Sequence, residues 1–157
     1  MDAEVGQLLS ILDAAYNRRS WHGTNLRGSV RGVTAREAAW RPAPGRHNIA
    51  ELVVHAAYWK YAALRRMTGG KRGAFPLQGS NWFARDGPPS EPTWRDDVAL
   101  LDEMHRSLRA AVAALPARAL RQTPRGSKVS NLALLAGVAA HDLYHAGQIQ
   151  LLKRLQK

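Results

Sequence analysis

The sequence predicts an all-α fold, a bundle of four long helices, on three observations. Four stretches repeat apolar residues at i, i+3, i+4 and i+7, the period of a helix with one buried face. Capping residues stand at helix starts (Asn48, Thr93), and Gly69 and Pro116 follow two helix ends. No stretch alternates convincingly as a strand does. Helices of this kind bury their stripes against one another, and a bundle is the arrangement that does so.

Val5, Leu8, Leu9, Leu12 and Tyr16 mark the first long helix, about residues 3–18. Ser20-Trp-His-Gly-Thr24 interrupts it, and Leu26 and Val30 indicate about two further turns. Thr34-Ala-Arg-Glu37 is a capping-box pattern opening a short helix through Trp40, and Pro42, Pro44 and Gly45 form a loop. Asn48-Ile-Ala-Glu51 opens the second long helix, which runs to about Met67 and stops at Gly69-Gly70. Residues 70–92, rich in Gly, Pro, Ser and Asn, are a long crossover that frees the next helix from lying antiparallel beside the second. Trp82 and Phe83 are expected to pin this crossover to the bundle as a satellite cluster. The third long helix begins at Thr93 and ends before Pro116, with Leu101, Met104, Leu108, Val112 and Leu115 on its stripe. Residues 116–129 form a basic loop, and the fourth helix, about 130–155, closes the chain.

The histidines stand out against this pattern. On the fourth helix Leu134, Val138, His141, His145 and Leu152 fall within ~60° of one line at ~100° per residue, with Gln148 and Ile149 beside it. Two imidazoles one turn apart thus stand on the core-facing stripe. Burying an imidazole without a partner is costly. A metal ion would satisfy both; the alternative is two core histidines, each hydrogen-bonded to a neighbour. On the second helix His55 shares the stripe of Leu52, Ala56, Trp59 and Ala63, and can complete a three-His set. His105 sits on or beside the third stripe, as a fourth ligand or, the favoured reading, a buried structural histidine.

Composition narrows the choices. The 157 residues suit one domain, residues 1–157, and 45% hydrophobic content can build a core. With no cysteine, disulfides and thiolate ligands are excluded, so a metal must use His, Asp, Glu or water. No run of about 20 apolar residues crosses a membrane, and the acidic N-terminus lacks a signal-peptide pattern, so a cytoplasmic protein is expected. The net charge of +11 could attract nucleic acid or acidic small molecules. The arginines are scattered, with modest clusters at Arg65-Arg66 with Lys71-Arg72 and at Arg118, Arg121 and Arg125, so solvated helix faces are favoured and nucleic acid is not the expected partner.

Rival motifs fit poorly. Asp142 takes the Glu place of the zinc-protease motif, but no His, Asp or Glu follows His145 to serve as third ligand. Di-iron bundles need Glu-x-x-His, whereas Glu51 and His55 are four apart and the fourth helix has no Glu. No Gly-x-Gly-x-x-Gly or P-loop is present, and nothing marks a nucleophile elbow.

Three segments, Ser20-Trp-His-Gly-Thr-Asn-Leu26, Arg41-Pro-Ala-Pro-Gly-Arg-His-Asn-Ile49 leading to His55, and above all His141-Asp-Leu-Tyr-His-Ala-Gly-Gln-Ile149, resemble the DinB/YfiT-like bundles. The resemblance covers nearly the whole chain. It implies a four-helix bundle in up-down-down-up order, and a divalent metal, zinc or nickel, on His55, His141 and His145. It also implies a metal-dependent enzyme, a thiol-dependent transferase or a hydrolase. Relatives of that kind include transferases using mycothiol or bacillithiol and a maleylpyruvate isomerase.

Three His ligands leave coordination positions open, where a thiol cosubstrate or a water would be activated. His22 or His105 is the candidate general base, with a helix-break residue bonded to backbone the alternative for His22. Gln148 is a candidate to hold water or substrate, and Trp59 to wall the pocket or simply pack. The expected substrate is a small, anionic molecule, and the expected assembly a homodimer. Metal affinity should fall as pH drops through ~6.5. The alternative function is a non-catalytic basic bundle binding nucleic acid or a protein partner, with a structural metal.

Overall fold

A computed structural model describes residues 2–157. Among these residues seven helices form: α1 Ala3–Tyr16, α2 Leu26–Ser29, α3 Ala35–Ala39, α4 Ile49–Thr68, α5 Glu91–Ala113, α6 Ala117–Leu120 and α7 Asn131–Leu155. Among the described residues there is no strand, only one isolated bridge between Ser80 and Trp82.

The caps explain most boundaries. Asn48 accepts from the Glu51 amide while the Glu51 carboxylate takes the Asn48 amide, so α4 opens with the expected reciprocal box. It ends at Gly69, whose φ of 69° closes the helix in the left-handed region. The third long helix starts earlier than the sequence indicates. Ser90, not Thr93, is the N-cap and accepts from the Thr93 amide; Pro92 is tolerated because the first turn has no intrahelical acceptor for its nitrogen. The first helix ends at Tyr16 instead of running to 18, and the stretch after Leu26 is only four residues long. The basic loop at 116–129 contains the short helix α6.

The long helices meet as α4 with α5, α4 with α7, α1 with α7 and α1 with α5. Their stripes form two apolar layers. One joins Tyr16, Ile49, Val53, Leu101 and Ile149; the other joins Val5, Leu12, Ala63, Leu108 and Leu135. Between them in sequence lie Lys60, His105 and Asp142, all buried. The Lys60 ammonium donates to the Asp142 carboxylate, with both side chains at most 1% exposed.

α7 is rotated slightly from the line read off the sequence. Leu135, Ala139, Asp142, Ala146 and Ile149 face the core, while Leu134 and His141 are half-buried. The apolar count alone favours Leu134; the Lys60–Asp142 pair makes Asp142 the true inward position.

Candidate metal centre

α4 delivers His55 and α7 delivers His141 and His145, one turn apart on the side of the helix that faces α4. Their Nε2 atoms converge: His55 to His141 is 3.1 Å and His145 to His141 is 2.9 Å. His55 and His145 are 5% and 4% exposed.

The protons decide what this cluster can hold. His55 Nδ1 is 2.9 Å from the Asn81 carbonyl oxygen, which only accepts, so Nδ1 carries the proton. His145 Nδ1 is 2.7 Å from Gln148 Oε1 and donates in the same way. Both Nε2 atoms therefore present lone pairs to His141 Nε2, which has at most one proton to share. At least one pair of nitrogens meets lone pair to lone pair. A cation between them removes that repulsion. Two nitrogens set tetrahedrally around an ion at ~2.0–2.1 Å stand ~3.3 Å apart, close to the gaps found. The donor set fits a divalent metal that takes imidazole ligands.

The surroundings keep the rings neutral, as ligation requires. Burial pulls the His55 imidazole down to about 4 and His141 to about 3, with the neighbouring histidines adding to both shifts. Burial also lowers His145. Desolvation thus sets the protonation of the metal-free His55 and His141 rings below the ~6.5 of a free imidazole.

The crossover at 69–90 builds one wall. Asn81, at φ 64°, turns its carbonyl to His55, and its side-chain oxygen accepts from Trp59 Nε1 at 2.9 Å. Trp82 stacks on His55 at 3.9 Å, and His47 stacks on Trp82 at 3.5 Å. Beyond pinning the crossover, Trp82 thus holds the plane of a cluster ring. Nothing in the sequence ties Asn81 to His55, because a backbone carbonyl leaves no side-chain signature. Lys60 is equally hidden: a lone lysine on a helix reads as surface.

An open groove of about 490 Å³ reaches the cluster, lined by His55, His141, Trp59, Arg66, Gly137 and Val138 among others. The Arg66 guanidinium carbon lies 5.8 Å from the Trp59 ring centroid. The other residues that the sequence nominates stand elsewhere. Gln148 orients His145 instead of facing the groove. His22 is exposed, 3.4 Å from Ser20 Oγ, and His105 stacks on Tyr16 at 3.7 Å. His105 lines a separate polar cavity with Asp13, Asp102 and Arg109, and neither of its ring nitrogens has a hydrogen-bond partner among the described residues. His105 is thus not among the three histidines that converge, and neither it nor His22 lines the groove.

Comparison with known families finds a match to the DinB superfamily over residues 18–149, which holds all three histidines. No curated protein and no solved structure matches the chain.

Proposed function

Since the chain belongs to the DinB superfamily, we propose that it is a metal-dependent enzyme whose single divalent ion, zinc or nickel, is held by His55, His141 and His145. The observation that carries this reading is the convergence of three Nε2 atoms, two with their protons committed to Asn81 and Gln148. A bound ion of this kind supplies Lewis acidity, enough to favour the anion of a thiol or water near neutral pH. The chain's own residues do the rest. Asn81 and Gln148 hold the rings in the ligating tautomer, and Trp59 and Val138 shape an apolar path to His55 and His141. The reaction class that fits is thiol-dependent transfer or hydrolysis on a small molecule.

Three ligands support an open site over a closed structural one, which usually takes four protein ligands. The two apolar layers support the family's four-helix arrangement, α1 and α7 running one way and α4 and α5 the other. The starts of α1 and α7 share a layer with the ends of α4 and α5. The whole chain as one domain belongs to the same reading. A homodimer is supported by Tyr144 and Leu151, exposed seven apart on one face of α7.

The test is elemental analysis with cobalt substitution. About one ion per chain is expected. His141→Ala and His145→Ala should each lose it while remaining folded by circular dichroism. The visible spectrum of the cobalt protein should change on adding a thiol. Undiminished metal in both variants would overturn the ligand set, and a spectrum indifferent to thiol would overturn the open site.

A further inference from the structure

A second cavity adjoins the groove. It measures about 300 Å³ and is lined by Arg65, Arg66, Arg72 and Arg125 with Gly69, Gly70 and Gly126, and by no acidic residue among those described. Arg66 lines both spaces. The two share walls in other ways: the end of α4 serves both, and the loop before α7 gives Arg125 and Gly126 to one and Val129 to the other.

What sets these arginines apart is their grouping: twelve of the chain's 18 arginines lack a carboxylate partner among the described residues, but these four line one cavity. Arg27, Arg41, Arg85, Arg106, Arg109 and Arg121 each pair with a carboxylate. Among the described residues, none of the four pocket arginines does. The negative end of the α4 dipole accounts for cations in its last turn, hence for Arg65 and Arg66. It does not account for Arg72 and Arg125, which arrive from separate loops. Four guanidinium groups gathered without a counter-charge repel one another and match the geometry of phosphate or carboxylate oxygens.

We propose that this arginine pocket binds the anionic end, phosphate or carboxylate, of a soluble small molecule whose apolar part lies in the groove beside His55 and His141. This rests on the reading of the groove as the substrate site of the metal centre. The ligand then has two recognisable ends, an apolar portion at the histidines and an anion about Arg66, and its reactive group belongs to the apolar end.

The probes are inorganic phosphate, octyl phosphate and decanoate, titrated calorimetrically into the full-length protein as purified, with metal content measured on the same samples. Octyl phosphate should bind at one site, on the order of a hundredfold more tightly than inorganic phosphate, because its chain is buried. Arg72→Ala/Arg125→Ala should weaken it by about tenfold or more, since charge-assisted bonds are lost. Both residues are exposed, so the variant should fold. Arg31→Ala/Arg36→Ala, which removes the same charge from exposed positions elsewhere, should change affinity by less than about twofold. Tighter arginine-dependent binding of decanoate would make the head group a carboxylate and still support the site. Equal losses in the two double variants, or octyl phosphate no tighter than phosphate, would overturn it. Arginine-dependent binding in a protein that takes up no metal would sink the metal reading and leave this site standing. Metal bound by the histidines with no arginine dependence would do the reverse.

Discussion

Lys60→Met isolates the buried ion pair. The Lys60 and Asp142 side chains are 1% and 0% exposed, and Asp142 Oδ1 has no partner among the described residues, so the variant leaves a carboxylate in the core with nothing to balance it. Breaking such a pair by removing one member costs ~3–5 kcal/mol. Unfolding entropy of ~2.1 cal/mol/K per residue gives ~0.33 kcal/mol/K for a chain of 157 residues. The expected fall in Tm is therefore ~9–15 °C. The double variant Lys60→Met/Asp142→Leu removes both charges and should recover most of that loss. Thermal melts followed by circular dichroism, with chelator present so that metal binding does not contribute, would measure both. A loss below ~1 kcal/mol in the single variant would refute the reasoning.

The pH dependence adds a second check with a definite sign. Burial holds the Asp142 carboxyl above its ordinary value of 3.8, against the opposing pull of the Lys60 ammonium. Without the ammonium it rises further. A group whose folded pKa exceeds its unfolded one lends stability that is fully present below the unfolded pKa and lost as pH climbs through the folded pKa. The deficit of Lys60→Met should therefore be largest at neutral pH and narrow between there and the ordinary carboxyl value of 3.8. A gap constant across that window would show that the carboxyl is not the cause.

Two further outcomes test the histidine cluster. With His55 held at about 4 and His141 at about 3 by burial, protons compete with the metal only at low pH, so cobalt absorbance should persist through pH 6.5 and fade as those values are approached; half-loss near 6.5 would show the rings behave as if solvated. Gln148→Ala frees His145 Nδ1 from its acceptor and should weaken metal binding by about 10–100-fold in a chelator competition while leaving the melt nearly unchanged, and unaltered affinity would remove Gln148 from the site.

What the sequence reveals and what it hides follow from the kind of signal each residue carries. The helical class is legible because a stripe such as Val5, Leu8, Leu9 and Leu12 repeats at one period, and its residues are buried. The histidines are legible because an imidazole in a leucine's place breaks that period. Asp142 and Lys60 break it too, yet they do not stand out. At ~100° per residue both stand ~70–90° off the line, where a charged residue reads as a flanking surface residue until its partner is seen, and that partner lies 82 positions away. Asn81 works through a carbonyl and a left-handed turn, neither written in residue type beyond a tolerance for positive φ. Ser90 is hidden because a cap has to be chosen between two hydroxyl residues three apart, and only geometry shows which one accepts.

The ion pair and the metal centre occupy the same helix–helix contact, and this has a mechanical consequence. His55 and Lys60 are five apart on α4, and His141 and Asp142 are adjacent on α7. Apolar side chains tolerate small slides along a helix, since any nearby hydrophobic neighbour will serve. A buried ammonium on a buried carboxylate does not, because a slide of even part of a turn strands both charges. The Lys60–Asp142 pair therefore sets the axial register in which His55 Nε2 meets His141 Nε2, within 3.1 Å. Polar register devices of this kind are known at buried positions of paired helices. The double variant Lys60→Met/Asp142→Leu separates this role from stability. It should keep most of the wild-type Tm yet bind cobalt more weakly, because the three nitrogens are no longer held in one register. Wild-type affinity in a folded double variant would mean that apolar packing and the Asn81 and Gln148 hydrogen bonds position the ligands without help from the pair.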